Sequence, residues 1–134
     1  MPQTGKALLD TNIIIALLHG EAPIKERIED FKEVFISSVA LGELLYGALK
    51  SGRSEANIRL IETFADACRI LPCNAQTARE YGKIKFELKV MGRPIPENDL
   101  WIAAIARQHK LLLLTDDKHF GHIGSLRTEN PRRN

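Results

Sequence analysis

The sequence predicts an α/β fold built around a central, mainly parallel β-sheet. The runs Ala7–Leu9 and Leu111–Leu114 are uniformly apolar rather than alternating, which is typical of strands covered on both faces. Each run ends in polar and acidic residues. Between them lie segments with apolar residues at three- and four-residue spacing, as in amphipathic helices. Strands that alternate with helices in this way favour a parallel sheet.

Length and composition narrow the class of protein. The chain has 134 residues, of which 44% are hydrophobic and 27% charged, and is expected to form one domain over residues 1–134. The net charge of +2 permits a nucleic acid partner without indicating one. Cys68 and Cys73 are expected to be reduced and buried, which fits the cytoplasm. Because Asp10 and Asn12 interrupt the first apolar run, neither a signal peptide nor a membrane span is predicted.

The first strand is predicted to end at Asp10 and to pass into a helix over residues 12–19. Thr11 or Asn12 is expected to cap this helix, because a side-chain oxygen there satisfies a free amide of the first turn. Asp10 has two interpretations. It is either a functional carboxylate at the carboxyl end of a strand, where ligands gather in open α/β sheets, or a residue that only shapes the turn.

Glu43 occupies an unusual position for an acid. Residues 21–32 are predicted to form a surface helix, and residues 34–38 a second strand rich in β-forming side chains. Ser38 is expected to cap the apolar helix 39–49, which contains Glu43. A glutamate is rarely buried unless it has a partner, so a functional carboxylate is favoured over one that simply faces water.

The second half of the chain continues the alternation of helices and strands. Its predicted elements are a helix over 54–67, a strand over 69–72, a helix over 75–91 capped by Asn74 and ended by Gly92, and a frayed tail over 128–134. Lys85 and Lys89 share an exposed face of the long helix. A solvated charged face is the default interpretation, and contact with a phosphate backbone is the alternative.

Two further acids complete the pattern. Asp99 opens a strongly apolar helix, where free N–H groups favour a carboxylate, so capping alone would explain it. The strand over 110–114 is followed by Asp116 and Asp117. If the first and last apolar strands are parallel, Asp10 and Asp117 lie at the same edge of the sheet.

Carboxylates gathered in this way repel one another unless a cation neutralises them. The predicted set is Asp10, Glu43, Asp99 and either Asp116 or Asp117. All-oxygen ligands suit Mg²⁺ or Mn²⁺. Such a metal can activate a water molecule to attack a phosphodiester, which is nuclease chemistry. The sequence has no zinc-type histidine or cysteine cluster, glycine-rich phosphate loop or Gly-x-Ser-x-Gly motif to compete with this interpretation.

Four blocks, in order over nearly the whole chain, resemble PIN-domain ribonucleases, and among these the VapC-type toxins of toxin-antitoxin pairs. The blocks are Leu9–Asn12, Ser38–Ala48, Gly92–Ala104 and Leu114–Phe120. The resemblance implies a three-layer α/β/α fold and a cytoplasmic, Mg²⁺- or Mn²⁺-dependent endoribonuclease that leaves a 5′-phosphate and a 3′-hydroxyl. It further implies cleavage of tRNA or another structured RNA, a homodimer, a cognate VapB-type antitoxin whose tail enters the acidic site, and a larger complex with that antitoxin on operator DNA.

The resemblance also assigns roles to residues by position. The catalytic acids are Asp10, Glu43, Asp99 and Asp117, and the metal ligands are Asp10, Asp99 and Asp117. Supporting positions, which would orient carboxylates or metal-bound water, are Thr11, Asn12 and Thr115. Asp116 is the alternative for the fourth acid. A surface role is expected for His119, with phosphate contact as the alternative.

Two other functions compete with the nuclease interpretation. A non-catalytic PIN-like module would bind nucleic acid or a partner protein through the same acidic pocket, and loss of an acid would favour it, but none is lost. Enzymes that form an aspartyl-phosphate also place an Asp after the first strand. The dehalogenase-like pattern needs an acid where this chain has Asn12, and response-regulator receivers place their acids differently.

Overall fold

The computed structural model describes residues 5–133 and consists of alternating strands and helices. The strands are β1 (Lys6–Leu9), β2 (Glu33–Ser37), β3 (Arg69–Leu71), β4 (Leu112–Leu114) and β5 (Thr128–Glu129). The α-helices are α1 (Thr11–Leu18), α2 (Ala22–Glu29), α3 (Ser38–Leu49), α4 (Ser54–Asp66), α5 (Ala75–Met91) and α6 (Glu97–His109). A 3₁₀ helix spans Lys118–His122.

The strands form one parallel sheet in the order β3-β2-β1-β4-β5. β1 lies at its centre, where Leu8 is in register with Phe35 of β2 and Leu113 of β4. All five strands therefore end at the same edge of the sheet. This arrangement confirms the predicted α/β/α fold with a central parallel sheet.

Two hydrophobic clusters cover the two faces of the sheet. Successive side chains of a strand point to opposite faces. Accordingly, Ala7 and Leu9 pack in the cluster formed with α1 to α4, whereas Leu8 packs in the cluster formed with α5 and α6. All three side chains have no exposed surface. β1 is thus fixed from both sides, and so is the position of Asp10 that follows it.

Two helices begin one residue earlier than predicted, which changes their capping residues. Asp10 caps α1 and accepts a hydrogen bond from the Thr11 amide, so the expected caps Thr11 and Asn12 are wrong. Ser37 caps α3, and its Oγ accepts from the Ala40 amide at 2.9 Å, so Ser38 is not the cap either. In both cases the last strand residue or its direct successor still has extended backbone, which is the geometry that a cap requires.

The caps of α5 agree with the prediction. Asn74 accepts from the Thr77 amide at 3.1 Å, and the Thr77 hydroxyl accepts from the Asn74 amide at 3.0 Å. Gly92 ends the helix with φ 68°, a left-handed conformation that costs glycine little.

The frayed tail predicted over 128–134 is wrong for its described part. Thr128–Glu129 forms β5 beside β4. Arg27 donates to both carboxylate oxygens of Glu129, from Nε at 2.6 Å and from Nη2 at 2.9 Å, which holds β5 against α2. Pro131 is buried. Asn134 lies outside the described residues.

The cysteines are free, as predicted, but their predicted burial is wrong. Both cysteines are free, but Cys73 is exposed and Cys68 is half-buried, because β3 lies at the edge of the sheet. Among residues 5–133, no helix has the length and apolar character that a membrane crossing requires.

Candidate active site

Asp10 is the most deeply buried acid at the carboxyl edge of the sheet. Its side chain is 4% exposed and accepts hydrogen bonds from the Thr11 amide at 2.9 Å and the Thr115 hydroxyl at 2.7 Å. Burial raises the pKa of Asp10 from its ordinary 3.8 to about 6. The two hydrogen bonds oppose this rise, and the charges of Asp99 and Asp117 add to it. The folded chain therefore holds a carboxylate in a place that disfavours its charge.

Glu43 projects from α3 towards the same edge and is held at both carboxylate oxygens. Oε1 accepts from the Thr11 hydroxyl at 2.7 Å, and Oε2 accepts from Asn98 Nδ2 at 3.1 Å. Thr11 thus connects two acids, since its amide bonds Asp10 and its hydroxyl bonds Glu43. This half-buried glutamate has the partners that its apolar surroundings require.

Asp99, Asp117 and His119 form a compact group beside these two acids. His119 Nε2 lies 2.9 Å from Asp99 Oδ2, and His119 Nδ1 lies 2.9 Å from Asp117 Oδ1. One candidate ligand atom from each residue falls within 4.8 Å of the others. Burial raises the pKa of Asp99, His119 opposes the rise, and the charges of Asp117 and Glu43 reinforce it.

Thr115 joins this group to Asp10. Its hydroxyl donates to Asp10 and accepts from the Asp117 amide at 3.0 Å. Asp117 Oδ1 in turn accepts from the His119 amide at 3.3 Å, which shapes the turn that leads into the 3₁₀ helix. The loop after β4 therefore places Asp117 relative to Asp10 through backbone and side-chain contacts together.

The two candidates for the fourth acid face different partners. Asp117 contacts His119 within the acidic group, whereas Asp116 Oδ2 accepts from Arg132 Nη1 at 2.7 Å. Asp116 lies at the bend after β4, and its carboxylate is paired with Arg132 rather than with the acidic group. The geometry favours Asp117.

Other site predictions met different outcomes. Asn12 is exposed and makes no hydrogen bond to the acids within residues 5–133. His119 is not a plain surface residue, because its side chain is 27% exposed and lies between two carboxylates. Asn98 was not predicted to act, although its position directly before Asp99 was a usable signal.

The donor set fits a divalent cation. Carboxylates with raised pKa values lie together, and a metal bound between them would relieve the repulsion that contributes to those values. His119 Nε2 is buried without a hydrogen-bond partner, since its contact with Asp99 is close but poorly aligned. A buried ring nitrogen with no aligned hydrogen bond, next to the Asp99 carboxylate, is an available ligand.

Two depressions differ in how close they come to the acids. A cleft of about 1200 Å³ between α5, α6 and the segment 125–127 contains none of them. A groove of about 300 Å³ between α1, α3 and α4 is mainly apolar, with Ile15 and Leu60 on its rim, and reaches Glu43 at one end. The acids themselves lie at an open edge, which suits a large substrate better than an enclosed small molecule.

Sequence comparisons place the chain among known nucleases. The PIN domain family model matches residues 7–126. The chain is 39% identical over 128 residues to the tRNA(fMet)-specific endonuclease VapC of Shigella flexneri, which covers 93% of this chain and 97% of that protein. It is also 39% identical over 130 residues to ribonuclease VapC2 of Haemophilus influenzae, with coverage of 93% and 97%.

Structural comparisons agree with the sequence. The VapBC-1 structure from nontypeable Haemophilus influenzae matches with a TM-score of 0.88 and 35% identity over 97% of this chain and 100% of that chain. The DNA-bound VapBC structure from Salmonella typhimurium matches with a TM-score of 0.87 and 33% identity over 94% and 98%. The chain therefore belongs to the PIN-domain family and, within it, to the VapC ribonucleases.

Proposed function

We propose that this protein is a metal-dependent endoribonuclease that acts as the toxin of a type II toxin-antitoxin pair. The observation that carries the proposal is the meeting of Asp10, Glu43, Asp99 and Asp117 at one edge of the sheet, on a chain with full-length similarity to VapC ribonucleases. We assign the catalytic role to these four acids. Mg²⁺ is the proposed ion, with Mn²⁺ as a substitute, and nucleases of the PIN-domain family generally use divalent metals.

The residues of the site have different proposed roles. Asp10, Asp99 and Asp117 would hold the metal, and His119 offers a further ligand through Nε2. When bound, the ion would activate water and neutralise the charge that develops on the phosphate. Glu43 lies outside the Asp99 group and is oriented by hydrogen bonds at both carboxylate oxygens, so it would be placed to receive a proton from the attacking water.

The proposed substrate is RNA, and tRNA is the first candidate. The Shigella flexneri relative is named for tRNA(fMet), and it is similar to this chain over almost its entire length. An open acidic edge accommodates a folded RNA, which an enclosed pocket would exclude. Such a substrate would place the protein in the cytoplasm.

The proposed partners are a VapB-type antitoxin, a second copy of the chain, and operator DNA bound together with the antitoxin. The similar structures include VapBC complexes, two of them bound to DNA. The apolar groove that ends at Glu43 fits an antitoxin peptide, because a segment lying in it would reach the acids. Such a peptide would block both the metal and the RNA.

The test is cleavage of RNA by purified protein freed of antitoxin. Total cellular RNA is incubated with Mg²⁺ or Mn²⁺, and new 5′ ends are mapped, with Asp99→Asn as the matched control. We expect discrete, metal-dependent cuts with 5′-phosphates from the unmodified protein alone. Folded protein that binds metal but cuts no RNA would favour a non-catalytic binding module, and cuts by Asp99→Asn would contradict the assignment of the site.

A further inference from the structure

Arg132 lies far from the acids in sequence but contacts the loop that carries one of them. Its Nη1 donates to Asp116 Oδ2 at 2.7 Å, while Nη2 and Nε donate to Glu21 Oε2 at 2.8 and 3.2 Å. One guanidinium group therefore joins the loop after β4 to the turn between α1 and α2. None of these three residues belongs to the site described above.

The loop that Arg132 contacts also carries Asp117, which the neighbouring acids repel. Asp117 faces Asp10 and Asp99, and its charge contributes to the raised pKa of both. Like charges at this range push the Asp117 segment outward. Asp116 directly precedes Asp117 in the chain, and its carboxylate is held by Arg132 instead of lying in the acidic group. A contact on Asp116 therefore restrains Asp117 through the backbone.

The C-terminal segment that supplies Arg132 is itself well anchored. β5 is hydrogen-bonded to β4, and Glu129 makes two hydrogen bonds with Arg27 on α2. Asn130 Oδ1 accepts from the Arg132 amide at 3.0 Å. An anchored backbone gives the guanidinium group a fixed origin, which a mobile tail would not provide.

We infer that Arg132 is a positioning residue for the metal site, acting through Asp116 on Asp117. This inference rests on the proposed function, since it concerns the metal that the acids would hold. Arg132 does not touch the acidic group. It fixes the distance of the Asp117 carboxylate from Asp10 and Asp99, and so sets the affinity of the site for its ion.

The direction of the change in cation affinity distinguishes a positioning role for Arg132 from a purely electrostatic effect. Removing a positive charge near a cation site should tighten cation binding if charge alone matters. A positioning role predicts the opposite for Arg132→Gln. Loss of a residue that orients metal ligands typically weakens metal binding by about tenfold or more. Because the two ion pairs of Arg132 are partly exposed, the variant is expected to fold.

The experiment measures Mn²⁺ binding to the full chain by calorimetry and by electron paramagnetic resonance of free Mn²⁺. We expect Arg132→Gln to weaken binding about tenfold. Asp116→Asn should weaken it by a similar factor, with little further loss in the double variant because both changes break one contact. Arg132→Lys should fall between, since a single ammonium group replaces a planar fork that holds two carboxylates.

Arg133→Gln is the matched control. Arg133 lines the same cavity as Asp116 and Asp117 but makes no side-chain ion pair within the described residues. Binding unchanged or tightened in Arg133→Gln, together with weakened binding in Arg132→Gln, supports the inference. Equal behaviour of the two variants would overturn it.

RNA cleavage provides a second readout. A positioning role predicts that Arg132→Gln needs more Mn²⁺ for half-maximal activity, while KM for RNA at saturating metal stays the same. A raised KM with unchanged Mn²⁺ binding would overturn the inference and indicate direct contact with RNA. If the unmodified protein binds no Mn²⁺, the proposed metal site itself is wrong. If the unmodified protein and Arg132→Gln bind Mn²⁺ equally well, only the role of Arg132 is wrong.

Discussion

Replacing Asp10 with asparagine is predicted to stabilise the metal-free protein at neutral pH. Asp10 is 4% exposed and its pKa is raised from 3.8 to about 6, mainly by burial. The folded protein therefore holds this proton more tightly than the unfolded chain does. The contribution of Asp10 to stability is greatest below pH 3.8 and is lost as the pH rises through about 6, above which the group is ionised in both states.

The size of the effect follows from the same values. A pKa raised from 3.8 to about 6 corresponds to a loss of about 3 kcal/mol in the free energy of unfolding above pH 6. Asparagine removes this penalty but accepts less well from Thr11 and Thr115, which costs about 1 kcal/mol. We expect a net gain of about 2 kcal/mol at pH 8, and none near pH 4.

Urea denaturation in EDTA between pH 4 and 8 measures this prediction, with Glu62→Gln as the control for an exposed acid. Metal should reverse the order of stability, because an ion that binds only the folded protein adds about 2.7 kcal/mol at a hundred times its Kd. An Asp10→Asn variant that is less stable than the unmodified protein at pH 8 in EDTA would refute the reasoning. So would an advantage that does not decrease towards pH 4.

Three other substitutions test separate parts of the structure. Arg107→Gln removes the 2.8 Å ion pair of Glu80 and leaves it only Lys83, at 3.8 Å. Because the Arg107 and Glu80 side chains are 11% and 13% exposed, urea denaturation should show a loss of about 2 kcal/mol in the free energy of unfolding. Thr115→Val removes the hydroxyl that holds down the pKa of Asp10, and should reduce RNA cleavage about 10- to 100-fold at pH 7. Glu43→Gln should abolish RNA cleavage, because the variant has no carboxylate to receive a proton. Its affinity for Mn²⁺ should change less than about threefold, since the candidate metal ligands are other residues.

Each of these has a result that would count against it. If Arg107→Gln changed the free energy of unfolding by less than about 0.5 kcal/mol, the ion pair would behave like a solvent-exposed one and the prediction would be wrong. Thr128→Val is the control for Thr115→Val, because it changes an exposed threonine on β5. The same loss of RNA cleavage in both variants would mean that the effect is not specific to the Thr115 hydroxyl. Mn²⁺ binding lost together with cleavage in Glu43→Gln would make Glu43 a ligand.

The elements of the fold could be predicted from sequence because their signals are local. The apolar runs of β1 and β4, and the alternation of strands with helices, predicted the parallel sheet. Asn74 and Gly92 marked the ends of α5 correctly, since caps act within one turn. Ser38 was wrong by a single residue, because two adjacent serines can both cap and only the backbone at Ser37 decides between them.

The meeting of the acids at one edge of the sheet was predictable from the sequence, but the long-range contacts around them were not. Asp10 and Asp117 follow apolar strands, so their shared edge followed from topology alone. The contact of Arg132 with Glu21 joins residues 111 positions apart, and no local pattern signals it. His119 was misjudged because its exposure depends on how the 3₁₀ helix turns back towards Asp99.

The central position of β1 affects when this protein can become active. β1 is the first of the five strands to be synthesised, whereas its neighbour β4 follows about a hundred residues later. The hydrogen bond from the Asp10 amide to the Leu114 carbonyl, at 3.0 Å, joins the ends of these two strands. Pairings this distant in sequence form slowly and late. The Asp10 and Asp117 halves of the acidic group therefore cannot meet until β4 and the loop after it have been synthesised, so a nascent polypeptide without β4 would have no complete acidic group.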